Sequence, residues 1–132
     1  MKHVEVVAAI IINNDKILCV QRSPSKFSYI SMKYEFPGGK VEANESNENA
    51  LKREIKEELH MEIDVRKHFH TVQHQYPDFS ITMYSFICSC AHSTLKLEVH
   101  VDYKWLAVDE LSALDWAAAD IPIVEKLMES AL

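Results

Sequence analysis

Glu54, Glu57 and Glu58 fall at i, i+3 and i+4 in the stretch LKREIKEELHM. On a helix that spacing places three carboxylates on one face. At about 100° per residue, Leu51, Ile55 and Leu59 form an apolar stripe, Lys52, Arg53 and Lys56 form a basic sector, and the three glutamates form an acidic sector with Glu58 bordering the stripe. Acids interleaved with the lysines would describe a solvated face. Here they are segregated and turned partly toward the core. Clustered carboxylates repel one another, and burial sharpens the repulsion. A cation is therefore expected among them, and oxygen-only ligands favour a hard divalent ion, Mg²⁺ or Mn²⁺. Arg53 is better placed to orient one carboxylate than to neutralise three. A Glu-rich surface helix is the plain alternative. Against it stands Pro37-Gly38-Gly39, which holds the only two glycines among 132 residues. Glycine lets backbone approach a phosphate or offer a carbonyl to a metal, and Lys40 follows at once.

Several elements must position these groups. Val4 to Ile12 is a continuous apolar, β-branched run and reads as a buried strand. Asn13-Asn14-Asp15 signals a turn, and Lys16 to Gln21 returns as a hairpin arm. Arg22 to Lys33 reads as a surface loop, and Tyr34 to Phe36 as a short extended piece. The helix is expected from an N-cap at Ser46 to about Leu59. Glu62 to Tyr76 and Ser80 to Cys88 read as strands around a Pro77-Asp78 turn. Leu95 to Val101 and Tyr103 to Val108 read as two further strands, then a helical turn at Asp109-Glu110-Leu111. Asp120 opens a closing helix with Ile121, Val124, Leu127, Met128 and Leu132 at helical spacing. Strands, a helix, more strands and a helix describe a mixed α/β (α+β) layered domain over residues 1–132.

The net charge is −6, which argues against a nucleic-acid polymer or a membrane surface as partner. A polyanionic small substrate stays compatible, because a divalent ion reverses the local field. No apolar run approaches the roughly 20 residues of a membrane span. With no signal peptide read at the N-terminus, a cytoplasmic protein is expected, as monomer or homodimer. Cys19, Cys88 and Cys90 lack metal-ligand spacing and read as buried thiols. His68, His70 and His74 alternate and would share a strand face, yet no fourth ligand supports a zinc site.

The spacing resembles the Nudix box of the Nudix hydrolases. Gly39 is followed after five residues by Glu45, then after seven by Arg53-Glu54-Ile55, one residue, and Glu57-Glu58. One position departs: His60 replaces the closing glycine, which would suit a left-handed helix cap. The loop EFPGGK and the ending WLAVDELSALDWAAADIPIVEKL resemble the MutT-like branch, and within it the NudG-like CTP pyrophosphohydrolases.

The resemblance implies a Nudix fold, a mixed β-sheet sandwiched between helices. It implies a Mg²⁺-dependent enzyme that converts a nucleoside triphosphate to the monophosphate and pyrophosphate, with a cytidine nucleotide or 8-oxo-dGTP as substrate. A nucleotide-sugar substrate and a non-catalytic binding module are the competing readings. Glu54, Glu57 and Glu58 are the implied metal ligands, with a backbone carbonyl near Gly39, and Arg53 orients Glu54. A further glutamate outside the box falls nearest Glu98, with His100 or Asp102 as alternatives. Arg22 and Lys40 are candidate phosphate contacts. Asp120 occupies a base-reading position. A carboxylate accepts hydrogen bonds and suits an exocyclic amino group, while a plain N-cap is the simpler role. Phe27, Tyr34 and Trp116 could supply a stacking wall.

Overall fold

The computed structural model describes residues 1–130. Its spine is β1 (Lys2–Asn13), the predicted apolar run. Alternate β1 residues point to opposite faces, and both faces are apolar. Ala8 and Ile10 enter one core, while Val7, Ala9 and Ile11 enter the other. Asn14 and Asp15 turn the chain through positive φ (52° and 63°), the conformation tight hairpin turns require. The return strand β2 (Lys16–Arg22) then pairs antiparallel with β1 at the hairpin end.

Two short strands follow the surface loop, β3 (Tyr34–Glu35) and β4 (Gly38–Lys40). The glycine pair is therefore part of the sheet, since Val6, Val7 and Ala8 face Lys40, Gly39 and Gly38. Neither glycine has positive φ. Their smallness is what the fold uses: a Cβ on Gly38 would overlap the Val7 carbonyl, and one on Gly39 would overlap the Glu54 carboxylate.

Helix α1 (Asn47–Leu59) starts as expected, with Asn49 N donating to Ser46 Oγ at 3.1 Å. It ends at His60, whose φ of 55° is left-handed and whose N–H donates to Lys56 O at 3.1 Å. Leu51, Ile55 and Leu59 are fully buried against β1 and β2. Each such side chain contributes about 1.5–3 kcal/mol by leaving water, which locks the rotation of the helix.

β5 (Ile63–Gln75) and β6 (Phe79–Cys90) form a long antiparallel hairpin, closed at the expected turn by Tyr76 N to Phe79 O at 2.8 Å. β6 also runs parallel to β1 from Lys2–Phe79 to Ile12–Ser89. Bulges between Val65 and Lys67 and between His68 and His70 break the alternation of β5. The histidines consequently do not form one set: His68 meets Phe86 edge-on, and His74 meets Tyr76.

The two strands expected over residues 95–108 are one strand, β7 (His100–Leu106), paired with β2. Residues 92–99 are irregular. A 3₁₀ turn over Val108–Ala113 matches the expected helical turn, and a second covers Ala118–Asp120. Helix α2 (Ile121–Ser130) buries Ile123, Val124 and Leu127 in the core opposite α1. Leu132, expected in its apolar stripe, lies outside the described residues. The seven-stranded sheet, ordered β3-β2-β1-β6-β5 with β4 on β1 and β7 on β2, thus lies between α1 and α2.

Candidate active site

A cavity of about 960 Å³ opens between β1, β4, α1, the β5–β6 hairpin tip and the segment before α2. Glu54 and Glu58 reach it from α1, Gly38, Gly39 and Lys40 from β4, Arg22 and His100 from the β2–β7 pair, and Asp120 from the far side. One cavity therefore gathers acidic and basic groups from segments distant in sequence.

Arg53 organises the acidic face of α1. Its Nη1 donates to Glu54 Oε1 at 2.7 Å and to Glu57 Oε1 at 3.1 Å. Its Nε and Nη2 grip Glu45 at 2.7 and 3.0 Å, and Nη2 also reaches the Lys40 carbonyl at 3.1 Å. The planar guanidinium suits such multidentate work. It ties the loop carboxylate, the β4 backbone and two helix carboxylates into one unit. The hydrogen bonds from Arg53 hold the Glu45 carboxyl down at about 2, while the acids around Arg53 push its own pKa up.

Glu58 has no such partner. Burial, reinforced by the Glu54 charge, pushes its carboxyl up to about 7, against a smaller opposing effect of His100 and Arg22. Its neighbour Glu57 does not line the cavity, and 54% of its side chain is exposed. Among the described residues no three His, Cys, Asp or Glu side chains converge to hold a metal ion. Arg53 accounts for this, because it draws Glu54 and Glu57 to itself. The donor chemistry still fits a hard cation. Glu54 and Glu58 supply only oxygens, Glu58 is destabilised as an anion, and the Gly39 backbone touches Glu54 closely enough to exclude a Cβ.

Asp120 is 4% exposed. Its Oδ1 accepts from Phe36 N at 3.0 Å, so it is no N-cap of α2. Burial first and the Glu35 charge second raise its pKa well above the usual carboxylate range. It is delivered there by backbone pairing: Tyr34 N donates to Asp115 O and Ala117 N to Tyr34 O, at 2.8 and 2.9 Å.

Other expectations are corrected. Glu98 does not enter the cavity. It sits in the irregular segment, where Oε1 pairs with His60 Nε2 at 2.8 Å, since its backbone N–H is tied to Glu58 O at the end of α1. Tyr34 and Trp116 are core residues, Tyr34 bonded to Asp102 and Trp116 stacked on Phe36. Phe27 does line the cavity, together with Phe36, Tyr76 and Phe79, which sequence reasoning missed. It missed Glu35 as well. Glu35 accepts from Arg22 Nη1 at 3.1 Å and pairs with His100 Nε2 at 3.0 Å. The one signal available was an acidic residue directly before the glycine loop.

A model of the NUDIX domain matches residues 1–127. The chain belongs to the Nudix family. It is a Nudix hydrolase. It is 38% identical over 128 residues to the CTP pyrophosphohydrolase of Escherichia coli (strain K12), covering 97% of this chain and 93% of that protein. It is 30% identical over 129 residues to the 8-oxo-dGTP diphosphatase of Buchnera aphidicola (subsp. Schizaphis graminum), covering 98% and 96%. The solution structure of the E. coli ORF135 protein superposes with a TM-score of 0.83 at 36% identity, covering 99% of this chain and 92% of that one. No helix among the described residues is long and apolar enough to cross a membrane.

Proposed function

We propose that this Nudix hydrolase is a Mg²⁺-dependent nucleoside triphosphate pyrophosphohydrolase acting on cytidine nucleotides. The observation that carries the reading is a single cavity lined both by Glu54 and Glu58 and by buried Asp120, whose Oδ1 accepts from Phe36 N. That layout suits a substrate with a charged polyphosphate and a hydrogen-bonding base. The identity to a CTP pyrophosphohydrolase supports the choice of base.

Glu54 and Glu58, with the Gly39 carbonyl, would hold the ion from the cavity wall, Glu57 would join them on leaving Arg53, and Mn²⁺ would suit the same oxygen set. When bound, such an ion neutralises phosphate charge and activates water for attack on phosphorus. Arg53 keeps Glu54 oriented beside Gly39. Arg22 and Lys40, both on the cavity wall, meet phosphate oxygens. Phosphoryl transfer depends mainly on positioning and charge neutralisation, and this is what these residues supply. Asp120 accepts from an exocyclic amino group such as cytosine N4. Residues 1–132 act as one domain in this scheme.

Turnover of CTP, dCTP, 5-methyl-dCTP and 8-oxo-dGTP with Mg²⁺, read as pyrophosphate release, tests the reading. Preference for the cytidine nucleotides is expected, and Glu57→Gln should abolish it. Absence of turnover with every nucleotide, or full activity in the Glu57→Gln variant, would refute it. An unchanged ranking of bases in Asp120→Ala would remove Asp120 as the reader. Hydrolysis of 8-oxo-dGTP is the second reading, favoured by the 30% identity to an 8-oxo-dGTP diphosphatase. The same panel separates the two.

A further inference from the structure

We propose that His100 binds the polyphosphate of the substrate through Nδ1, and that Glu35 is the residue that positions it. The inference rests on the pyrophosphohydrolase reading above.

His100 begins β7 and is the register partner of Arg22 in β2, across an irregularity that leaves Val101 as the extra residue. Such a bulge changes which way the flanking side chains point. Both His100 and Arg22 line the cavity, and each gives one nitrogen to Glu35. Nε2 of His100 and Oε2 of Glu35 lie 3.0 Å apart, so Nε2 is engaged and Nδ1 is the ring nitrogen left to meet a ligand. Among the other nitrogens of the two side chains, His100 Nδ1 and Arg22 Nε are the two buried side-chain polar atoms without a hydrogen-bond partner among the described residues. The His100 side chain is 4% exposed, so bulk water does not satisfy it.

Buried polar atoms nearly always find partners, and an orphan in a cavity wall calls for a ligand group. Two orphan nitrogens flank one carboxylate, on residues that line the same cavity as Glu58. The Arg22 guanidinium presents donors only, and an imidazole nitrogen that carries its hydrogen donates as well. Phosphate oxygens present acceptors only, and such charge-assisted bonds are the strong ones. A base edge is served instead by Asp120 in this reading. Glu35 fixes the imidazole through Nε2, as carboxylates commonly do for functional histidines.

The two amide substitutions separate the ring nitrogens. His100→Gln keeps a donor near the Nε2 position, toward Glu35, and lacks a counterpart of Nδ1. His100→Asn keeps a donor near Nδ1 and gives up Glu35. Binding of tripolyphosphate and of α,β-methylene-CTP, each with Mg²⁺, is measured by calorimetry on wild type and both variants. His100→Gln should weaken both ligands by about 10-fold, the size of one charge-assisted bond, and His100→Asn by several-fold less. KM for CTP should rise in the same order. If His100→Gln binds like wild type, or His100→Asn is at least as impaired, the Nδ1 assignment is overturned. If a variant does not fold, the imidazole ¹⁵N spectrum of wild type decides: the His100 Nδ1 resonance must move on addition of tripolyphosphate, and an unmoved resonance overturns the assignment. Wild type failing to bind either ligand would defeat the pyrophosphohydrolase reading itself, whereas wild-type binding with the wrong variant order defeats only the role of His100.

Discussion

The Glu54 carboxylate occupies the space that a Cβ on Gly39 would need. Two residues fifteen positions apart are thereby in contact through a missing side chain. A Gly39→Ala substitution should push Glu54 off its Arg53 bond and cut kcat by about 100-fold, the scale associated with misplacing a reacting group by about 1 Å. The fold should survive, because a side chain can move aside. Gly38→Ala meets the Val7 backbone instead and should lower Tm more than Gly39→Ala does. Thermal unfolding and steady-state kinetics on the two variants check the contrast, and the reverse order of Tm losses would contradict it.

Arg53 makes hydrogen bonds to three carboxylates and one carbonyl. Lysine keeps the charge and loses the fork. Arg53→Lys should therefore reduce kcat by about 10- to 100-fold, in the range found when positioning contacts are lost. Glu45→Gln should act through the same unit, so the double variant should be scarcely worse than Arg53→Lys alone. Additive losses in that cycle would show that the loop and helix carboxylates work independently.

Glu58 has a pH signature. Its pKa rises from an ordinary 4.5 to about 7, by burial first and Glu54 second. The folded protein therefore holds this proton more tightly than the unfolded chain does. The resulting stability is complete below pH 4.5 and is lost as pH rises through 7. In the presence of a chelator, wild type should lose Tm relative to Glu58→Gln between those pH values. Mg²⁺ should restore more Tm to wild type than to the variant at pH 7.5. Parallel Tm profiles for the two proteins would rule the effect out.

His60 replaces a motif glycine in a left-handed cap. Left-handed backbone costs a residue with a Cβ roughly 1–2 kcal/mol. The His60–Glu98 pair is exposed on both sides, so it offsets little of that cost. His60→Gly should therefore raise stability, by at most about 1–2 kcal/mol, and leave kcat unchanged. A loss of activity beyond a factor of about three, roughly 0.6 kcal/mol, would give His60 or Glu98 a part in the chemistry.

The box helix was legible because its information is local. Ser46 caps it, the Leu51–Ile55–Leu59 stripe sets its rotation, and the spacing of Arg53, Glu54, Glu57 and Glu58 follows from 3.6 residues per turn. The family followed from the same residues, as did the layered class from the apolar runs and their turns. Glu35, by contrast, gains its meaning from β2–β7 pairing across about eighty residues of chain, which brings Arg22 and His100 to it. Glu98 was misplaced because an irregular segment has no periodicity to say which way a side chain points. Asp120 was singled out, yet its burial under Phe36 depends on Tyr34 pairing with residues 115 and 117. Local periodicity in the sequence thus determined the helix, its acidic face and the family. Long-range backbone pairing, which no local pattern encodes, decided which charged groups share the cavity with that helix.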